Sequence, residues 1–392
     1  MSGTTGFEKR YGFRRDEVRL GNWRQAPYSR WSLQNVSELV PSAPVWPGVS
    51  AEDAQDPAWL LGKTITLPGS PSPRVETVSD FLTRSHGDAL SVMKAGRFLA
   101  DWSAPSMDFG KGHLAFSITK SITAVLFGAL QDDGLVDPAA LVTRYLPEAE
   151  GSAYGDATVQ NVLDMEVALD FDEAYLEPDS PFARYRRAML WNPGGGDEGL
   201  HAFLCSLPRL ATPHGEVFRY RSPNTDLLGL VIERATGQRI PELMRARIFA
   251  PLGTQGAVSM TVDGEGTSRA SAGISLTPRD LARLGEMMRL GGVIGDNRIV
   301  SQDWVTATIT GGNKQAWDRS DFRDLFVKGR YHNKWYQTGE GAFCGIGIHG
   351  QWVYVDPATE VVIVKMSSQP EPADDVLDAE NIAFLGQLSR MV

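Results

Sequence analysis

The chain has 392 residues, 42% of them hydrophobic and 22% charged, with a formal net charge of -10 and a pI near 5.2. That composition describes an ordinary globular protein large enough for two lobes and a substantial core. Its acidity speaks against a nucleic-acid binder, which would carry a basic face or stripe.

The segment 1–15 carries Glu8, Lys9, Arg10, Arg14 and Arg15 and has no apolar core, so it does not read as a secretory signal. From Trp23 to Pro73 the chain is rich in Pro and Trp, including Trp23, Trp31, Trp46 and Trp59. Each proline removes a backbone donor and restricts its neighbour, so long helices and central strands are ruled out here. The expectation is a segment that wraps the body, with the tryptophans as anchors.

Ala89–Met93 and Phe98–Trp102 flank Lys94-Ala95-Gly96-Arg97 and read as a β-hairpin. A long helix follows from near Ser117 to Asp133 and stops at Gly134. Thr158–Met165, Glu198–Leu207 and Pro223–Thr236 before Gly237 read as helices. A further helix runs to Leu290 behind Thr277 as N-cap and Pro278 at its first position. Gly345–Val355 and Val361–Met366, joined by Asp356-Pro357-Ala358-Thr359, read as a second hairpin, and Asp374–Met391 as a closing amphipathic helix. Strands near both ends with helices between predict an α/β layer built from the two chain ends and an inserted helical lobe. The boundaries fall at 1–75 for the wrapping segment, 76–140 and 265–392 for the α/β domain, and 141–264 for the helical one. A cleft between lobes is the natural place for a site.

Ser117-Ile118-Thr119-Lys120 carries the chemistry. A serine hydroxyl is a weak nucleophile until a base takes its proton. On a helix, residues three apart share a face roughly 5–6 Å from each other. The other Ser-x-x-Lys, Ser91 to Lys94, lies on a predicted strand, where such residues point to opposite faces. Only Ser117 and Lys120 can meet. The flanking Leu114, Ala115, Phe116, Ile118 and Ile122 would desolvate an inward-facing lysine and disfavour its charged form. Tyr220, in Tyr220-Arg221-Ser222-Pro223-Asn224, could titrate toward phenolate beside the lysine and relay a proton between the serine oxygen and a leaving group. The pattern reads as a serine acyl hydrolase. No Gly-x-Ser-x-Gly elbow occurs, and the six histidines show no His-Glu-x-x-His spacing, so a classical α/β-hydrolase and a metallohydrolase both fail. No metal or cofactor is expected. The two cysteines, Cys205 and Cys344, read as buried, reduced thiols.

Taken together, Ser117–Lys120, Tyr220–Asp226 and Gly345-Ile346-Gly347-Ile348-His349-Gly350-Gln351 resemble the three active-site elements of the serine β-lactamase-like, penicillin-recognising superfamily. Within it the chain is similar to the 6-aminohexanoate-dimer hydrolase branch and its carboxylesterase relatives, a likeness extended by the stretch Ser271–Arg283 and running from about Trp23 to the C-terminus. The resemblance implies a β-lactamase-like fold, an antiparallel sheet flanked by helices with an inserted mainly helical lobe. It also implies an acyl-enzyme at Ser117, with Lys120 and Tyr220 as acid and base and the backbone N–H groups of Ser117 and Ile348 as oxyanion donors. Substrate-binding positions would be Tyr175, Arg186, Ser222, Ser271, Trp335 and His349.

Two departures from the family pattern bear on specificity. Gly345-Ile346-Gly347 stands where β-lactamases carry Lys-Thr-Gly, so no cation waits for an antibiotic carboxylate. Arg186 stands where amide-hydrolysing members place an acid for the substrate's amino group, and the cluster Arg184, Arg186 and Arg187 reads either as a solvated basic face or as a partner for a substrate carboxylate. The reading is a hydrolase of small esters or short linear amides. β-Lactamase or D-amino-acid peptidase activity, or a silent binding protein of the same fold, are the alternatives. Cytoplasmic residence is expected, with a small-molecule ester or amide as partner, no nucleic acid and no membrane. A homodimer is the common assembly for such chains.

Overall fold

The computed structural model describes residues 6–49, 53–69 and 71–392. Its centre is a seven-stranded antiparallel sheet in the order Arg330–His332, Trp335–Gln337, Phe343–Gly347, Gln351–Asp356, Val361–Ser367, Gly87–Lys94 and Arg97–Ser103. The two chain ends meet where Val361–Ser367 pairs with Gly87–Lys94, Val361 opposite Lys94 and Lys365 opposite Leu90. Strand alternation divides the side chains between two cores. Val353, Val355, Val362 and Val364 face one that includes residues of helices Ile118–Asp132 and Pro278–Arg289. Trp352, Tyr354 and Ile363 face the other, against Phe81 of helix Val78–Arg84 and Phe384, Leu385 and Leu388 of helix Asp375–Met391.

Helix Ile118–Asp132 is buried from Ile118 to Leu130, so every side meets protein, and its polar Thr119, Lys120, Ser121 and Thr123 side chains are each hydrogen-bonded. Its C-terminus turns at Gly134, φ 72°, and helix Pro223–Thr236 ends on Gly237, φ 66°, conformations in which a side chain would be strained. Thr158 and Thr277 cap their helices through side-chain oxygens that accept from the N–H of Asn161 and Asp280.

Two sequence expectations need correction. The predicted strand Gly345–Val355 is two strands, Phe343–Gly347 and Gln351–Asp356, reversed through a three-residue loop in which His349 (φ 61°) and Gly350 (φ 83°) are left-handed. The loop lacks an Asn-Gly or Asp-Gly signal, and the apolar pattern continues across it. Gln351 stabilises the reversal by donating to the carbonyls of His349 (3.0 Å) and Ser367 (2.7 Å). In the Pro-rich segment, Trp23 and Trp31 are buried anchors, whereas Trp59 is 44% exposed. The segment also supplies a strand, Ser42–Pro47. It lies at the edge of a four-stranded sheet with Ala257–Thr261, Ile274–Leu276 and His113–Leu114, and its register shifts between Pro44 and Trp46. An edge with an irregularity is where a strand tolerates proline. Among the described residues no helix is long and apolar enough to cross a membrane.

Candidate active site

Ser117 sits at the junction between strand His113–Leu114 and helix Ile118–Asp132, as the residue preceding the helix. The residue before it, Phe116, is fully buried at φ 44°, a conformation that costs a bulky residue roughly 1–3 kcal/mol and persists where the surroundings enforce it. One turn on, Lys120 is 1% exposed. Its Nζ donates to Ser117 Oγ at 2.8 Å and to the Ser271 carbonyl at 3.0 Å. Burial lowers its pKa to about 7, opposed by the Glu173 carboxylate and assisted by the Arg269 guanidinium. At neutral pH the amine is therefore substantially unprotonated.

Tyr220, brought in just before helix Pro223–Thr236, lies with its ring centroid 4.9 Å from Lys120 Nζ, and its phenol interacts with the Ser117 side chain. The sequence argument expected the lysine to draw this tyrosine toward phenolate. Burial, reinforced by Glu173, instead raises the phenol's pKa well above its ordinary value. Tyr220 therefore holds its proton in the resting site. Ser117 and Tyr220, with Lys120 buried behind them, face a cavity of about 470 Å³ whose walls also include Tyr175, Tyr336, Ile346 and Ile348.

Strand Phe343–Gly347 reaches this point only because residue 347 has no side chain: a Cβ there would lie 2.6 Å from the Ala115 carbonyl oxygen. The close approach carries Ile348 to the wall beside Ser117. Among the described residues neither the Ser117 nor the Ile348 N–H donates to another protein group, so both are available to an oxygen in the cavity.

Tyr175 lines the same cavity and donates its hydroxyl to Glu173 at 2.9 Å. Arg186 donates to the Tyr175 carbonyl at 2.7 Å, beside the Phe182 ring. Ser222 lies on a small recess behind Ser117, its N–H donating to Glu173. His349 is buried, 5.3 Å between ring centroids from Phe116, with Nδ1 2.7 Å from the Gln369 carbonyl. Burial lowers its pKa to about 4, so it is neutral.

Arg186, Ser222 and His349 line recesses beside this cavity and not the cavity itself, and Ser271 and Trp335 line none of them. Ser271 is fully buried behind Lys120, where its carbonyl holds the amine and its N–H donates to Asp226 at 2.8 Å. Trp335 is 0% exposed and packs edge-on against Phe343. Its neighbour Tyr336 points the other way, into the cavity and parallel to the Tyr220 ring. Sequence reasoning missed Tyr336 and Glu173. Neither carries a local signal: which of Trp335 and Tyr336 faces the cavity depends on how the sheet packs, and Glu173 stands among Asp170, Asp172 and Glu177. Among the described residues no group of three or more His, Cys, Asp or Glu side chains is gathered to hold a metal.

A serine, a desolvated lysine and a tyrosine meeting at the junction of an antiparallel α/β layer and a helical lobe define a hydrolase class, and the chain belongs to the Beta-lactamase family, whose model matches residues 75–387. It is 37% identical over 360 residues to the 6-aminohexanoate-dimer hydrolase of Paenarthrobacter ureafaciens, covering 91% of this chain and 89% of that protein. Its fold matches a Bacillus anthracis structure provisionally called a 6-aminohexanoate-dimer hydrolase, with a TM-score of 0.84 at 22% identity over 96% of this chain and 98% of that one. A hydrolase with promiscuous acyltransferase activity is similar at a TM-score of 0.61 and 14% identity, covering 78% and 96% of the two chains.

Proposed function

We propose that the protein is a serine hydrolase of small esters and short linear amides that works through an acyl-enzyme at Ser117. The observation that carries this reading is the 2.8 Å contact between Ser117 Oγ and the buried Lys120 amine. In the first step neutral Lys120 takes the Ser117 proton as Oγ bonds to the substrate carbonyl carbon. The carbonyl oxygen becomes an oxyanion facing the N–H groups of Ser117 and Ile348. Such donors contribute several kcal/mol when aimed at developing charge. Collapse breaks the bond to the leaving oxygen or nitrogen, which takes a proton from Tyr220, and the Lys120 ammonium reprotonates the phenolate. Water then attacks the acyl ester, giving its proton to Lys120; the bond from the acyl carbon to Ser117 Oγ breaks, Lys120 returns the proton to that oxygen, and the acid is released.

The similarity to the Paenarthrobacter ureafaciens enzyme supports linear amides as substrates. Gly345-Ile346-Gly347, without a cation, predicts weak activity on β-lactams. A panel of p-nitrophenyl esters, the linear dimer of 6-aminohexanoate and a β-lactam tests the reading. Turnover of esters or the linear amide well above the β-lactam is expected. If none of the three is hydrolysed, the protein is instead a binding member of its family.

A further inference from the structure

Among the described residues, several buried or half-buried arginines are paired with acids, and Arg24 and Arg186 are two half-buried ones that are not. Arg269 pairs with Asp226, Arg279 with Asp101, Arg283 with Asp280 and Arg289 with Glu286. Arg24 and Arg186 have no carboxylate within ion-pair distance among the described residues. Both line a second chamber of about 220 Å³. Arg24 donates to the Trp191 carbonyl at 2.9 Å and to Asn192 Oδ1, and stacks over Trp23. Arg186 makes the single bond to the Tyr175 carbonyl. Each guanidinium has five N–H donors, so several on each remain for a ligand. Arg24 is half-buried where it lines the chamber. Burial lowers its pKa, and the charges of Arg186 and Arg269 lower it further. Neutral His349 shares the chamber wall. The chamber's one acid, Glu177, is exposed and pairs with neither guanidinium. Glu173 is engaged by the Tyr175 hydroxyl and the Ser222 N–H.

The chamber adjoins the chemistry. Tyr175 and Pro372 line both it and the main cavity, and Arg186 shares the recess behind the nucleophile with Ser117 and Ile348. By contrast, Asp321, Asp324, Asp375 and Asp378 line the main cavity and not the second chamber. An anionic group entering the cleft is repelled from the acidic wall and drawn to the arginines. We propose that the second chamber is a carboxylate subsite, in which Arg24 and Arg186 receive the terminal carboxylate of an ester or amide whose scissile carbonyl lies at Ser117. The substrate class is then monoesters and monoamides of dicarboxylic acids, or esters and amides whose leaving group ends in a carboxylate. This inference rests on Ser117 being the nucleophile.

Two matched substrate pairs test it at low ionic strength: p-nitrophenyl pentanoate against mono-p-nitrophenyl glutarate, and the acetate esters of butanol against those of γ-hydroxybutyrate. In one pair the carboxylate should raise kcat/KM by roughly tenfold or more, chiefly through KM, as a charge-assisted guanidinium–carboxylate contact would. That charged-over-neutral ratio should fall by a similar factor in Arg24→Met or Arg186→Met and in high salt. Turnover of the neutral esters with no carboxylate advantage in either pair would overturn the subsite and leave the acyl-enzyme standing. Calorimetric binding of pentanoate against pentanamide decides the subsite independently of variant folding and of turnover. Tighter pentanoate binding supports it and equal binding overturns it. Were no ester turned over at all, it is the reading of Ser117 that would fail.

Discussion

Lys120 has two polar contacts, the Ser117 hydroxyl and the Ser271 carbonyl, and both accept from it. Neither is a counterion, so desolvation dominates and its pKa falls from 10.5 to about 7. The base must be neutral to act, so kcat/KM should rise with pH through a limb centred near 7, and a flat profile from pH 5 to 9 would show that another group is the base. The same displacement affects stability. The folded state penalises the ammonium fully below pH 7, and the penalty is relieved as pH rises from about 7 toward the unfolded value near 10.5. Lys120→Met should therefore abolish turnover yet raise the unfolding free energy by about 1–3 kcal/mol at pH 6, the gain shrinking by pH 10, as urea titrations at the two pH values would reveal. Tyr220, with its proton held by burial, serves the leaving group. Tyr220→Phe should cost roughly 10²–10⁴-fold on alkyl amides and much less on p-nitrophenyl esters, whose leaving group needs no acid. Equal losses on both would place Tyr220 in a different step.

At the scale of elements, helix period placed Ser117 and Lys120 on one face, and the caps at Thr277 and Gly237 were readable because each is a local hydrogen bond or backbone conformation. Strand facing was less legible. Trp335 and Tyr336 differ by one position, and only the packing of the sheet decides which ring enters the cavity. The reversal at 348–350 was hidden for a similar reason: His349 occupies a left-handed position without the usual turn dipeptide. Glu173 acquires meaning only once Tyr175 and Ser222 fold around it. The approach of strand Phe343–Gly347 to Ser117 depends on Gly347. A methyl group 2.6 Å from the Ala115 oxygen must push the strand outward, and misplacement of this size costs roughly a hundredfold in rate. Gly347→Ala should therefore keep its far-UV circular dichroism while kcat/KM falls by about that factor. An unimpaired variant would show that Ile348 does not contribute to the oxyanion site.

Across the whole molecule, the N-terminal segment is structural and also reaches the second chamber. Trp23 is buried, donates Nε1–H to the Trp191 carbonyl at 3.2 Å and meets the Trp191 ring edge-on at 5.4 Å, while Arg24 beside it reaches the second chamber. Trp23→Ala should cost about 3–5 kcal/mol by urea unfolding, and a loss under 1 kcal/mol would mean that the segment rests only loosely on the body. The pairing of the chain ends was foreseeable from strands at both ends of the sequence, whereas the edge strand Ser42–Pro47 was not, because prolines mask the alternation that marks a strand.

The central claim is a covalent bond to one oxygen, and labelling with a fluorophosphonate tests it directly. Trypsin releases Ser117 in the peptide Gly112–Lys120, which contains a single serine. The account predicts a stoichiometric adduct on that peptide, formed faster as pH rises through 7 and absent from Ser117→Ala. An adduct on any other residue, or ester turnover that survives Ser117→Ala, would contradict it.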